Sequence, residues 1–105
     1  MPFYTSKRLP TPSIVVSESA HRLALRIARS GKCVVYRCKN LMEIGDTREE
    51  VGAIVRNKFW FSHSVLGAWQ TNGISITHRS GGEIIFMLYS NQFNMGRAVE
   101  LEVHV

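Results

Sequence analysis

A chain of 105 residues holds one domain and not two, and with 45% hydrophobic, 20% charged and 10% aromatic residues it is globular rather than disordered or collagen-like. Only Cys33 and Cys38 occur, so a disulfide scaffold is excluded, and no run approaches the ~20 apolar residues of a membrane-spanning helix. The formal charge of +5 points to an acidic partner and says nothing of the fold.

Residues 1–12 contain all three prolines (Pro2, Pro10 and Pro12) with Lys7 and Arg8, and show neither periodicity nor the apolar core of a signal peptide. They predict an extended arm, leaving 13–105 as the domain. Ile14-Val15-Val16 is a β-branched run that predicts a buried strand. Ser17 or Ser19 can cap the following helix by accepting from an orphan backbone N–H. In that helix Ala20, Leu23, Ala24, Ile27 and Ala28 share one face at spacings of three and four. Arg22, Arg26 and Arg29 share another, and Gly31 is placed to stop it.

Cys33 to Cys38 is β-branched and aromatic and predicts a strand ending near Asn40. Asp46 and Glu49 form a capping-box variant before Val51, Ile54 and Val55, which predicts a second helix over about 47–57 with Arg56 and Lys58 at its C-terminal end. Phe59 to Trp69 fits a strand, an irregular segment or a helical turn. Ile74, Ile76 and His78 alternate with Ser75, Thr77 and Arg79 as a half-buried strand should. Ser80-Gly81-Gly82 supplies the positive-φ positions of a tight hairpin. Ile84 to Tyr89, apolar on both faces, predicts a central strand, and Ser90 to Gly96 a polar connection. Val99, Leu101, Val103 and Val105 alternate with Glu100, Glu102 and His104 in a last strand, with the two glutamates expected on the exposed face of an edge. This order predicts an α/β fold: a single-domain mixed sheet of about five strands with two helices, crossovers first and an antiparallel hairpin later.

Motifs for chemistry are sparse. Cys33 and Cys38 are five apart, so on one strand they face opposite ways, and no C-x-x-C or H-x-x-x-H joins them as a metal site. Ser62-His63-Ser64 places a nucleophile beside a base, but strand neighbours point apart and no G-x-S-x-G elbow is present. Glu49/Glu50 read as helix-start charges. Gly31-Lys32 falls at the end of a helix, the wrong pole of the dipole for a phosphate loop. Phe59, Trp60, Phe61 and Trp69 fit a core better than a base-stacking platform. The distribution of charge is more informative. Residues 1–39 carry eight basic side chains against Glu18 alone, a net +7, whereas 40–58 and 59–105 each come to −1. The row Arg22, Arg26 and Arg29, with Lys32, Lys7 and Arg8 near it in sequence, is the candidate for phosphate contacts.

The stretch from Arg22 to Asn40 resembles the helix after the phosphate loop and the next strand in phage large-terminase and helicase-like ATPases. The stretch from Asn72 to Val105, with Gly81-Gly82-Glu83-Ile84-Ile85-Phe86 and Gly96-Arg97, is similar to their hairpin, Gly-Arg turn and Walker B strand; the two together cover about half the chain. Where the family has its lysine-bearing loop this chain has Val16-Ser17-Glu18-Ser19-Ala20-His21, and where the family has paired acids it has His104-Val105. The resemblance therefore implies a degenerate, phage-encoded core reduced to a scaffold, with no catalytic residue carried over.

These readings lead to a small cytoplasmic protein without enzymatic activity or cofactor. It is expected to bind nucleic acid through Lys7, Arg8, Arg22, Arg26, Arg29 and Lys32. The alternative is a protein-interaction module, an inhibitor of a host protein or a homo-oligomer, pairing through Val99–Val105 if that strand lies at a sheet edge.

Overall fold

The computed structural model describes residues 11–59, 69–91 and 98–105. The elements in chain order are β1 (Ser13–Val15), α1 (Glu18–Arg29), β2 (Cys33–Cys38), α2 (Leu41–Phe59), β3 (Trp69–Asn72), β4 (Ser75–His78), β5 (Glu83–Leu88) and β6 (Val99–His104). They form one six-stranded mixed sheet in the order β1-β6-β2-β5-β4-β3. The first four strands in that order are mutually parallel, and β4 and β3 continue it antiparallel. The α/β class, the two helices and the mixed sheet are as expected from the sequence.

Both helices cover one face. Ala20, Ala24, Leu25 and Ala28 of α1 and Ile44, Val51 and Val55 of α2 close over Val34, Tyr36, Ile84, Phe86, Leu101 and Val103. Cys33, Val35, Ile85 and Met87 form a smaller cluster on the opposite face. Apolar side chains are thus needed on both faces of β2 and β5, which explains why these strands read as continuous apolar runs. Cys33 and Cys38 are free, buried and in opposite clusters.

α1 begins where Ser17 Oγ accepts from the Ala20 N–H at 3.1 Å, and ends at Gly31, whose φ of +94° suits the residue after a C-cap. α2 starts a turn and a half earlier than 47, because its cap is Asn40 and not Asp46. The Asn40 Oδ1 accepts from the Glu43 N–H at 2.9 Å, and the Glu43 carboxylate accepts from the Lys39 N–H at 2.8 Å. Leu41 and Met42 in that first turn are exposed, so no apolar stripe marks it.

Three further expectations are corrected. The strand at 14–16 is not buried: it is the sheet's outermost, and Val15 is 76% exposed. β3 is a sixth strand, beginning where the ambiguous segment ends, and Ile74 lies exposed in the two-residue turn between β3 and β4 rather than inside the sheet. The strand Val99–His104 is not an edge. It is hydrogen-bonded to β1 along Glu102–His104 on one side and to β2 on the other, so it lies inside the sheet. Its register against β2 slips between Cys33 and Val34, leaving Glu100 as the extra, exposed residue of a bulge with the Lys32 ammonium 3.9 Å away. Among the described residues no helix is long and apolar enough to cross a membrane.

Candidate nucleic-acid interface

The arginine row stands on the solvent side of α1, opposite the face that Ala20, Ala24 and Ala28 bury. Arg22 is engaged by Glu18, one turn earlier, at 2.6 Å. That hydrogen bond and the guanidinium charge hold the Glu18 carboxyl below the ordinary carboxylate range. Arg26 pairs with no carboxylate among the described residues. Arg29 is exposed in the last turn, and Lys32 lies just beyond it, paired loosely with Glu100. Lys7, Arg8, Ser62, His63, Ser64 and Arg97 lie outside the described residues. Of the aromatic group, Trp69 is core.

The fold adds a cation that spacing alone does not reveal. The β4–β5 turn folds back on the last turn of α1: Ser80 Oγ donates to the Ala28 carbonyl at 3.2 Å, and the Gly82 backbone lies against the same carbonyl. Arg79, in that turn, therefore comes to the end of α1 that carries Arg29. His78 registers both charges. Partial burial first, then Arg29 and Arg79, lower its proton affinity below that of an ordinary imidazole. The helix dipole favours cations in a last turn and accounts for Arg26 and Arg29. It does not account for Arg79, which arrives from another element.

Two other polar clusters bring together side chains of the kinds that sites use. His21, buried on the apolar side of α1, places Nδ1 2.8 Å from the Tyr36 hydroxyl and Nε2 3.1 Å from Glu50 Oε1. The neutral Nε2–H tautomer satisfies every atom: Nε2–H donates to the carboxylate and Nδ1 accepts from the phenol. The sequence of carboxylate, imidazole and hydroxyl is that of a catalytic relay, but its polarity is reversed. The Glu50 carboxylate is the exposed end at 64%, while Tyr36 is wholly sealed between His21 and Phe86. Burial, and then the Glu50 charge, push the phenol's pKa up, so the hydroxyl stays protonated and out of reach of any substrate. The cluster ties α1, β2 and α2 together. His21 falls in phase with Ala24, Leu25 and Ala28, and a histidine in that stripe is the sequence signal for it.

The second cluster lies at the carboxyl ends of the parallel strands, where open α/β sheets bind ligands. Here the protein occupies that place itself. Arg37 donates to the Leu88 and Asn91 carbonyls and sits 3.7 Å from Glu102, which also meets His104 Nε2 at 3.2 Å. Tyr89 rests edge-on against the His104 ring and donates to the Val105 carbonyl. No group of three or more metal-ligating side chains occurs among the described residues. Comparison with protein-family models, with curated proteins and with solved structures finds no match to this chain.

Proposed function

We propose that this protein is a small, non-enzymatic, cytoplasmic binder of nucleic-acid backbone, acting through Arg26, Arg29 and Arg79 with Arg22 and Lys32 at the margins. The observation that supports the reading is the hydrogen bond from Ser80 to the Ala28 carbonyl, which brings the turn holding Arg79 to the last turn of α1, where Arg26 and Arg29 stand. Cations gathered from two elements on one side of the fold suit a phosphate backbone. The weak surface pairs at Arg22 and Lys32 open readily to a competing polyanion. Lys7 and Arg8, which lie outside the described residues, are expected to add phosphate contacts on this reading. On this reading the stretches that resemble phage terminase-like cores serve as a scaffold without nucleotide chemistry, and isothermal titration with ATP is expected to show no heat.

The test is fluorescence anisotropy with a labelled duplex and a labelled single strand across a salt series. Binding should weaken linearly in log salt, with a slope for duplex of about −0.9 per phosphate neutralised. Charge reversal at Arg26, Arg29 or Arg79 should each flatten that slope by about one phosphate. Absence of binding at low salt, or an Arg79→Glu variant that binds like the parent, refutes the assignment.

A further inference from the structure

α2 carries a glycine at its middle for which the backbone gives no reason. Gly52 lies between Arg48 and Arg56 at four-residue spacing on one helix face, and glycine is a poorer helix residue there than alanine. No close contact demands it either, since a Cβ would meet only the Arg56 guanidinium, at an ordinary 3.5 Å. What the missing side chain leaves is room. A cleft of about 180 Å³ opens between α2 and β3, floored by Val55, Trp69 and Ile76 and rimmed by Gly52, Arg56 and Thr71. A void of about 150 Å³ takes a benzene ring, so this one takes a single large apolar side chain.

The cleft runs beside an open edge. Among the described residues no strand pairs with the outer side of β3. Ile74, just before β4, and His78, at its end, direct their backbone bonds toward β5, as the Phe86 N–H to Ile74 carbonyl and His78 N–H to Gly82 carbonyl bonds show. Ser75 and Thr77 therefore bond to β3 through Asn72 and Gln70, and the antiparallel alternation turns the N–H and C=O of Thr71 outward. In the cleft wall, Trp69 is 8% exposed and its indole N–H is buried without a hydrogen-bond partner among the described residues. Such a donor normally has an acceptor. Two arginines stand at the rim: the Arg56 side chain is 62% exposed and meets the exposed Glu49 at 3.5 Å, and Arg48 donates to the Gly73 carbonyl at the end of β3.

We propose that the α2–β3 cleft docks an extended segment of a partner protein, which adds to the sheet as a strand along β3, seats one apolar side chain in the cleft and turns an acidic side chain to Arg56. Backbone bonds to Thr71 supply affinity that is independent of sequence, and the cleft with its arginine supplies the choice of side chains. Residues i and i+2 of a strand share a face, so the apolar and acidic residues of the partner lie two apart. This proposal is independent of the arginine patch on α1.

The test is selection of short random peptides displayed on phage against the immobilised full chain, followed by anisotropy and NMR with the enriched peptide made synthetically. The expected peptide carries an apolar residue two positions from an aspartate or glutamate, and moves the Trp69 indole N–H resonance. Thr71→Pro removes the outward N–H at an edge position where proline is tolerated, Arg56→Glu reverses the rim, and Gly52→Leu fills the cleft. Each should weaken the peptide by about tenfold or more, the value of one lost hydrogen bond or ion pair, with far-ultraviolet circular dichroism unchanged. A library without enrichment, a peptide that binds all three variants like the parent, or one displaced by duplex DNA overturns the proposal.

Discussion

The two adjacent glycines of the β4–β5 turn do different work, and replacing each by alanine separates them. At Gly81 the φ of +98° is the constraint, for a Cβ there would meet nothing within 4 Å. At Gly82 the constraint is space, because a Cβ would sit 1.7 Å from the Ala28 carbonyl oxygen, 2.5 Å from its carbonyl carbon and 2.9 Å from its Cα. All three are main-chain atoms, so no rotamer change relieves the clash. Restoring ordinary contact requires the turn and the last turn of α1 to part by roughly 1.5 Å, which forfeits much of the dispersion between them. Overpacking of this kind costs about 1–3 kcal/mol, and the Ser80–Ala28 hydrogen bond that parts with it is worth about 1 kcal/mol. Gly82→Ala should therefore lose about 3 kcal/mol.

Gly81→Ala should lose less, about 1–2 kcal/mol, the penalty of a left-handed backbone for an L residue. Urea unfolding followed by circular dichroism resolves this order, and the thermal midpoint of Gly82→Ala should fall by more than about 10 °C. Ala28→Gly should not rescue Gly82→Ala, since the obstruction is the carbonyl and not the methyl. Duplex binding should weaken in the same variant, because Arg79 is carried away from Arg29. A Gly82→Ala protein within about 0.5 kcal/mol of the parent, or one rescued by Ala28→Gly, refutes the close approach on which the patch depends.

Tyr36→Phe leaves His21 Nδ1 buried without its donor and should cost about 1–3 kcal/mol in chemical denaturation. Glu50→Gln, at the exposed end of the same chain of bonds, should cost under about 1 kcal/mol. His78 titrates below the unfolded imidazole, so the unfolded chain takes up its proton first. Its share of stability is intact above the unfolded pKa of about 6.5 and is lost as pH falls through the folded-state value; His78→Gln should remove that part of the acid limb. Bound duplex, by offsetting Arg29 and Arg79, should raise the His78 pKa in an NMR titration, and an unmoved His78 counts against phosphate at the patch. Gly52→Ala should stabilise the domain by up to about 1 kcal/mol in urea unfolding, since the site is helical and open.

What the sequence reveals here follows the range of the interactions involved. α1 and β2 are legible because their signals are local: a serine cap, an apolar stripe at helical spacing, a glycine after the last turn, and a β-branched run. The start of α2 is not, because Asp46 and Glu49 mimic a cap while the true one precedes a turn whose apolar residues, Leu41 and Met42, face solvent. β3 has four residues and one buried apolar side chain, too little for any period to register. The arginine row of α1 is legible for the same reason as the helix. Arg79 is not, since it lies in a turn some fifty residues along the chain that is brought to α1 through Ser80 and Gly82. The α2–β3 cleft is defined by an absent side chain at Gly52, which periodicity passes over as a weak helix residue.

The last strand shows why alternation alone misplaces an element. Polar and apolar residues alternate in β6 because its two faces differ, and this holds for an interior strand as well as an edge. On one face Leu101 and Val103 join the main core; on the other Glu102 meets Arg37 of the neighbouring strand β2. An edge strand needs no such partner, because water satisfies its carboxylates. Glu102 and Arg37 lie on different elements and 65 positions apart, and the pairing is visible only once β6 has been placed between β1 and β2. With that edge closed, added strands have β1 and β3 to choose from. β1 offers three residues and the exposed side chain of Val15. β3 offers outward backbone groups beside a cleft, an unmet indole donor and an arginine, and it is there that a partner strand finds both pairing and selection.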